Sequence, residues 1–369
     1  MKSNSKIKIL MVIKSLRFWW WTEKVCVNLW NSLNFEWWKY GVSYFTFYKD
    51  EHVYHHKWVD FCLNKKSKNI IGKVLYSFIW AIKLLNICKK ENINLMIAYM
   101  WSWILASLLS KIFWNKSKLY ITIHRSLLDF PKWIVSLFAF FVKRYADKII
   151  VLTETEKNNL IKNFSIDKKK VSVIPNFIEK EKISILYKEP IENYEDIFHN
   201  NKFSFISIGR LEKIKNQKLM ISTFKELNKN YPNIQLVILW DWKEKESLQK
   251  ISNNNIYFLW NQENVFKYLY HSDCFLLTSI SEAFPMVILE AMACNLPVIS
   301  TKNQGAIDVL NNDKFWILVD YNERSLYKTM ETILNNNSLR NYYKDMSKGR
   351  IQNFQKDNII KLWENIIDA

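Results

Sequence analysis

Short apolar runs alternate along this chain with longer stretches whose apolar residues recur every three or four positions. Lys6–Ile13, KIKILMVI, is compact and apolar and predicts a buried first strand. From about Thr22 to Asn34, Val25, Leu29 and Leu33 share one helical face. Gly41 turns the chain into Val42–Tyr48, whose aromatic and β-branched residues predict a second strand. Glu51 to Asn69 has no period and reads as irregular, and a long helix follows over Ile70–Lys89. Strands at Leu95–Tyr99, Leu119–Ile123, Lys148–Leu152 and Val171–Ile174 are separated by helices at Ile104–Phe113 and Pro131–Tyr145, and by one that Thr153 or Thr155 caps. Glu179–Asn201 is charged and weakly patterned, as a linker is.

The alternation then resumes. Strands are predicted at Phe203–Ile208, Gln235–Leu239, Ile256–Leu259, Cys274–Thr278 and Pro297–Ser300. Helices are predicted at Gln217–Asn228, Lys243–Ile251, Val265–His271 and Pro285–Ala293, with Leu326–Leu334 and Leu339–Ala369 also helical. Repeated βα units imply parallel sheets covered on both faces. A length of 369 residues fits two domains of ordinary size. The expected boundaries are 1–180 for the first, 181–201 for the linker, 202–345 for the second and 346–369 for closing helices that return to the first.

Composition changes this picture in three ways. No run of 18 apolar residues is free of charge, so no spanning helix is expected, and the basic Met1–Lys8 is not followed by the apolar stretch of a signal peptide. Five scattered cysteines without a C-x-x-C fit reduced thiols in a cytoplasm. The net charge of +18 fits either an anionic membrane surface or the Lys, Asn and Ile bias of an AT-rich genome. Nucleic acid is not an expected partner, because no basic helix or recognition motif is present. His52, His55 and His56 have the spacing of metal ligands, but no carboxylate pair or cysteine accompanies them, and a solvated loop is the preferred reading.

Glycine and tryptophan are inverted. The chain has 5 Gly and 17 Trp, where an average glycine use of roughly 7% would give about 26 glycines. Tryptophan stands where backbone physics asks for glycine. Trp19, Trp20 and Trp21 link the first strand to the first helix, Trp240 and Trp242 follow a strand, and Trp260 and Trp316 flank others. Such positions need a left-handed backbone or close approach, which Gly allows and Trp does not. This predicts that most of these tryptophans stand for UGA codons that the source organism reads as glycine, with Trp363 a genuine tryptophan. The alternative is a Trp-rich protein with rebuilt loops.

The chemistry centres on Ser281–Ser300, SEAFPMVILEAMACNLPVIS, which reads as loop, helix, turn and strand. Pro285 suits a first helical position, and Val287, Leu289, Ala291 and Ala293 make the helix a buried one. Two carboxylates remain in this apolar setting, Glu282 in the loop and Glu290 in the helix, and buried carboxylates need partners. Free N–H groups at the helix start suit an anion. Acids that accept hydroxyl protons, beside amides that hold phosphate, point to a nucleotide sugar. Arg210 and Lys215 follow the strand Phe203–Ile208 and form a cationic pair suited to a diphosphate. His124 sits at the carboxyl end of a strand, the edge where open α/β sheets bind ligands.

Glu282 and Glu290, with FPMVILEAMACNLPVIST between and after them, resemble the E-x7-E signature of family 4 retaining glycosyltransferases. GRLEKIKNQKLMISTF from Gly209 resembles that family's GRL-x-x-x-K stretch. The likeness extends over most of the chain and is most specific from Ser204 to Asp320. It implies a GT-B fold: α/β, two Rossmann-like domains with parallel sheets facing a cleft, and a C-terminal helix crossing back to the first. It implies that Arg210 and Lys215 neutralise the leaving diphosphate, that Glu282 holds hydroxyls of the donor sugar, and that Glu290 holds the ribose. Gly209 and the backbone amides of Phe284, Pro285, Met286 and Val287 belong to the donor site by the same likeness, Pro285 contributing only its place in the loop. Trp19–Trp21 fall on the family's glycine-rich phosphate loop, and His124 lies where the family often has a histidine beside the transferred sugar. Ala283 departs mildly from the usual E-G-F-P.

The implied reaction is retaining, metal-independent transfer from a UDP- or GDP-linked sugar to a cell-envelope glycan or polyprenyl-linked acceptor, with no cofactor. No D-x-D motif is present. The implied setting is cytoplasmic, peripheral on the inner face of the membrane, where Pro131–Tyr145 would lie. Two alternatives stand beside it. One is an inactive membrane-associated relative whose indoles at 19–21 block the phosphate loop. The other is a different GT-B enzyme, an epimerase or a glucan or sucrose synthase.

Overall fold

The computed structural model describes residues 6–13, 21–35, 39–46, 59–62, 70–99, 101–124, 132–192, 194–198, 201–239, 245–259, 262–311 and 314–369. The chain divides into two compact units. Unit 1 is Met1–Pro175 with Ile360–Ala369, and unit 2 is Asn176–Ile359.

Unit 1 runs β1 (Ile7–Val12), α1 (Trp21–Phe35), β2 (Tyr40–Thr46), β3 (Val59–Cys62), α2 (Ile70–Lys90), β4 (Leu95–Tyr99), α3 (Trp101–Ile112), β5 (Lys118–Ile123), α4 (Lys132–Tyr145), β6 (Lys148–Val151), α5 (Glu154–Phe164) and β7 (Val171–Val173). Among the described residues its seven strands lie in the order β3-β2-β1-β4-β5-β6-β7, with every pairing parallel. β4 (LMIAY) is buried at all its positions, as a strand covered on both faces must be. Trp80, Leu84, Trp103, Leu108, Val135, Val142 and Leu160 from α2 to α5 join Met96, Ile121 and Ile149 of the strands in one core.

Unit 2 begins with α6 (Lys180–Leu186) and α7 (Glu195–Phe198), within the stretch expected to be a linker. It continues β8 (Phe203–Ile208), α8 (Gln217–Asn230), β9 (Ile234–Leu239), α9 (Lys245–Lys250), β10 (Ile256–Leu259), α10 (Phe266–Tyr270), β11 (Cys274–Leu277), α11 (Met286–Ala293), β12 (Val298–Thr301), α12 (Gln304–Leu310), β13 (Ile317–Val319), α13 (Glu323–Asn335) and α14 (Asn337–Gln352). The six strands are parallel in the order β10-β9-β8-β11-β12-β13. The last helix, α15 (Lys356–Asp368), starts in unit 2 and ends in unit 1. Its end is tied down there: Tyr40 Oη donates to Asp368 at 2.9 Å, Lys39 pairs with Asp368 at 2.7 Å, and Tyr120 Oη donates to the Ile366 carbonyl at 2.6 Å. Trp363 on the same turns is buried.

Four expectations are corrected. A strand, β3, lies inside Glu51–Asn69; it is a short edge strand carrying Asp60, which left no period to read. α12 and β13 were not foreseen. Leu339–Ala369, expected to be helical, falls into α14 and α15, which part near Asn353. Pro285 is the N-cap of α11, extended at ψ 92°, and Met286 opens the helix. Trp19, Trp20, Trp240, Trp242, Trp260, His52, His55 and His56 lie outside the described residues, while Trp21 opens α1. Trp316 is fully buried and stacks on Tyr343 at 4.9 Å, although its indole N–H meets no acceptor. Among the described residues no helix is long and apolar enough to cross a membrane.

Candidate functional site

In unit 2 the order β10-β9-β8-β11-β12-β13 reverses its direction of growth between β8 and β11. Loops leaving two such strands diverge to opposite faces and open a crevice at their carboxyl ends, where open α/β sheets bind ligands. Four of the residues singled out from sequence, Gly209, Arg210, Lys215 and Glu282, sit on these two loops. Gly209 and Arg210 follow β8, Lys215 closes a short 3-10 turn before α8, and Glu282 lies between β11 and α11.

The two loops are bonded to each other. Thr278 Oγ1 donates to the carbonyls of Lys215 (3.1 Å) and Asn216 (3.0 Å), and Ile280 N–H donates to the Ile214 carbonyl at 2.8 Å. Asn216 takes a left-handed φ of 50° to end the turn. With the loops joined, Lys215 Nζ reaches Glu282 Oε1 at 2.5 Å, and Ser279 Oγ donates to the same oxygen at 2.7 Å. Both charged side chains are largely shielded, at 19% and 14% exposure, so water screens the pair weakly. The second Glu282 oxygen can still accept, and the remaining Lys215 N–H groups can still donate.

Arg210 engages a different carboxylate, Glu212, at 3.0 Å, and its carbonyl accepts from Gln217 Nε2 at 2.8 Å. The structure thus brings Lys215 and Glu282 into contact, while Arg210, on the loop that carries Lys215, pairs with Glu212. Glu290 is 3% exposed, on a helix buried from Val287 to Ala293, and its charge joins burial in pushing the Cys294 thiol up. Phe284 turns onto Phe354, edge to face at 5.7 Å, while Met286 stays partly exposed at the start of α11. No side chain caps α11.

Behind the Glu282 loop lies a layer that sequence reasoning missed. Thr301 Oγ1 and Asn303 Nδ2, at the end of β12 and the cap of α12, both donate to the Ser279 carbonyl, at 2.7 and 3.3 Å. Gly305 N–H donates to the Glu282 carbonyl at 3.0 Å, and Tyr321 Oη to that of Ile280 at 2.9 Å. The retained Gly305, in a chain so poor in glycine, was the available signal.

In unit 1, His124 follows β5, next to β4 at the corresponding reversal of strand order. Its ring stacks on Tyr99 at 5.5 Å, and burial pushes its pKa down to about 4, so the imidazole is neutral near pH 7. Among the described residues no group of three His, Cys, Asp or Glu side chains is placed to hold a metal ion.

Residues 191–350 match the family model for glycosyl transferases group 1, and residues 47–182 that for glycosyltransferase family 4. An uncharacterized glycosyltransferase of Methanocaldococcus jannaschii is 32% identical over 355 residues, covering 83% of this chain and 87% of that protein. The N-acetylgalactosamine-N,N'-diacetylbacillosaminyl-diphospho-undecaprenol 4-alpha-N-acetylgalactosaminyltransferase of Campylobacter jejuni is 28% identical over 311 residues, covering 81% of this chain and 82% of its own. Among solved structures, HepE of Anabaena in complex with UDP and glucose superposes with a TM-score of 0.79 at 16% identity, over 98% of this chain and 99% of that one. That likeness is one of fold.

Proposed function

The chain belongs to glycosyltransferase family 4 and has the GT-B fold, and we propose that it transfers a sugar, with retention and without a metal, from a nucleotide sugar to a cell-envelope glycan or lipid-linked acceptor. The observation that carries this reading is the shielded Lys215–Glu282 pair at the β8/β11 crevice. As the glycosidic bond breaks, negative charge grows on the departing diphosphate. In this reading Lys215 and Arg210 receive that charge, and a fixed cation in a shielded site costs no reorganisation at that moment. Glu282 accepts from donor-sugar hydroxyls while Ser279 and Lys215 hold one of its oxygens. Glu290 accepts from the ribose, and the open start of α11 offers backbone N–H groups of Met286 and Val287 to phosphate. His124 of unit 1, neutral near pH 7, is a hydrogen-bonding group rather than a charge.

Two relatives support the nature of the substrates. HepE was solved with UDP and glucose, and the Campylobacter enzyme is named for a diphospho-undecaprenol substrate. A UDP- or GDP-linked donor and a polyprenyl-diphosphate acceptor are therefore the first to test.

The experiment is transfer of labelled sugar from UDP- and GDP-linked donors to a polyprenyl-diphosphate glycan, with the product's anomeric configuration read by NMR. Wild type transfers with retention and at the same rate in EDTA. Lys215→Ala lowers kcat by about 10²–10³-fold while circular dichroism shows the fold intact. Inversion, loss of turnover in EDTA, or an unchanged Lys215→Ala rate would each overturn the corresponding part of the proposal.

A further inference from the structure

Gly305 is walled in by the segment that carries Glu282. A methyl group in place of its hydrogen would lie 2.6 Å from the Glu282 carbonyl oxygen, 2.9 Å from the Ala283 carbonyl carbon and 2.9 Å from Pro285 Cδ. Two of these are backbone atoms and the third belongs to a ring, so none can swing aside as the end of a flexible side chain does. Gly305 does not have a positive φ. It is therefore required for room and not for backbone freedom. The room is used: the first turn of α12 comes close enough for Gly305 N–H to bond the Glu282 carbonyl, while Thr301 and Asn303 hold Ser279 from the same side. Ser279 and Lys215 in turn hold the Glu282 carboxylate.

We propose that Gly305 is a positioning residue for Glu282, setting where its carboxylate meets Lys215 and the donor sugar; this rests on the donor-site reading of Glu282 given above. The test is a cycle of Gly305→Ala, Glu282→Gln and the double variant in the transfer assay, with Gly349→Ala as control, since a methyl at Gly349 on α14 meets nothing within 4 Å. Displacement of a site group by about 1 Å costs on the order of 10²-fold in rate. Gly305→Ala is therefore expected to lower kcat at least tenfold in wild type and less than twofold in the Glu282→Gln background. Equal losses in both backgrounds, or no loss in wild type, would overturn the positioning role. If Glu282→Gln transfers at the wild-type rate, the donor-site reading falls and this proposal with it. Where Gly305→Ala does not fold, Thr301→Val, which removes the hydroxyl donor to Ser279, carries the same comparison.

A separate observation concerns Trp114. It stands at φ 62° and is 84% exposed. It closes α3: Trp114 N–H donates to the Lys111 carbonyl and Asn115 N–H to that of Ser110, each at 3.1 Å. This is the pattern of a helix end closed by a left-handed residue, a position where glycine leads. Elsewhere the chain fills such ends with Asn92, Asn295 and Asn311, at φ 54°, 58° and 53°. Asn tolerates that region through its short polar side chain. A bulky indole there is strained, and at 84% exposure it gains little packing in return.

We infer that residue 114 is glycine in the protein as its source organism makes it, the tryptophan standing for a UGA codon read there as glycine. Mass spectrometry of the native protein over Ile112–Lys116 reads the answer, and Gly at 114 is the expected result. Trp at 114, or a UGG codon, would overturn it. In protein made with tryptophan, Trp114→Gly is expected to raise the thermal midpoint by about 2–4 °C; an unchanged or lower midpoint would remove the premise of strain.

Discussion

His124 shows how one side chain's surroundings fix its chemistry. Its pKa of about 4 lies below the ordinary histidine value because burial disfavours the imidazolium. The unfolded chain therefore binds a proton between pH 6.5 and 4 that the folded chain does not. Stability rises with pH across that window, is complete above about 6.5, and is lost as pH falls toward 4. At pH 4.5 the penalty is on the order of 2 kcal/mol. Urea unfolding at pH 7 and pH 4.5 should show this loss in wild type, and His124→Gln should shrink it by that amount. An equal loss in both proteins would mean that other groups carry the acid sensitivity. The residues of the candidate site are legible to different depths. Glu282, Glu290, Arg210 and Lys215 declare themselves by charge in apolar surroundings and by motif. Ser279, Thr301 and Gly305 do not, because their roles are contacts between segments distant in sequence.

At the scale of elements, legibility followed burial. β4 and β9, buried at every position, are continuous apolar runs that no helix of that length would show. β13, ILV, is too short to carry a period, and β3, VDFC, has a charge inside it. α12 begins Gln-Gly, and glycine in a first turn argues locally against a helix. What makes it one is the Asn303 side chain, which accepts from Ala306 N–H at 2.9 Å, and the packing of Gly305 on the Glu282 loop. The element that escaped the pattern is the one that supports the candidate site. A glycine that costs helix stability is kept there because nothing larger fits. Trp114 is the reverse case, an end of α3 that is easy to read as a helix stop and that holds a residue unfit to make one.

For the whole molecule, whose net charge is +18, one group of helices in unit 1 combines exposed apolar and basic side chains. α2, α3 and α4 pack side by side over the same sheet core. Their outward positions carry Phe78, Ile79, Ile82, Leu105, Leu137 and Phe140, exposed at 38–66%. Lys83, Lys89 and Lys90 of α2, with Lys143 and Arg144 of α4, are exposed on the same helices. Scattered exposed apolar side chains need no explanation, but six concentrated on three successive packed helices invite one. With these cations on the same helices, the predicted partner is an anionic bilayer, each basic residue contributing about 1 kcal/mol near the headgroups. The proposed polyprenyl-linked acceptor calls for such binding, because its lipid cannot leave the membrane. Sedimentation with vesicles is expected to retain the protein on phosphatidylglycerol at 0.1 M salt, to release it at 1 M, where the screening length falls from about 10 to about 3 Å, and to show little binding to phosphatidylcholine. Leu137→Asp with Phe140→Asp should reduce binding at least about tenfold, since each buried side chain of that size is worth roughly 1.5–3 kcal/mol, with the melting transition unchanged. Binding that ignored lipid charge and salt would leave the cations without a part in it, and binding that survived both substitutions would move the contact to another face.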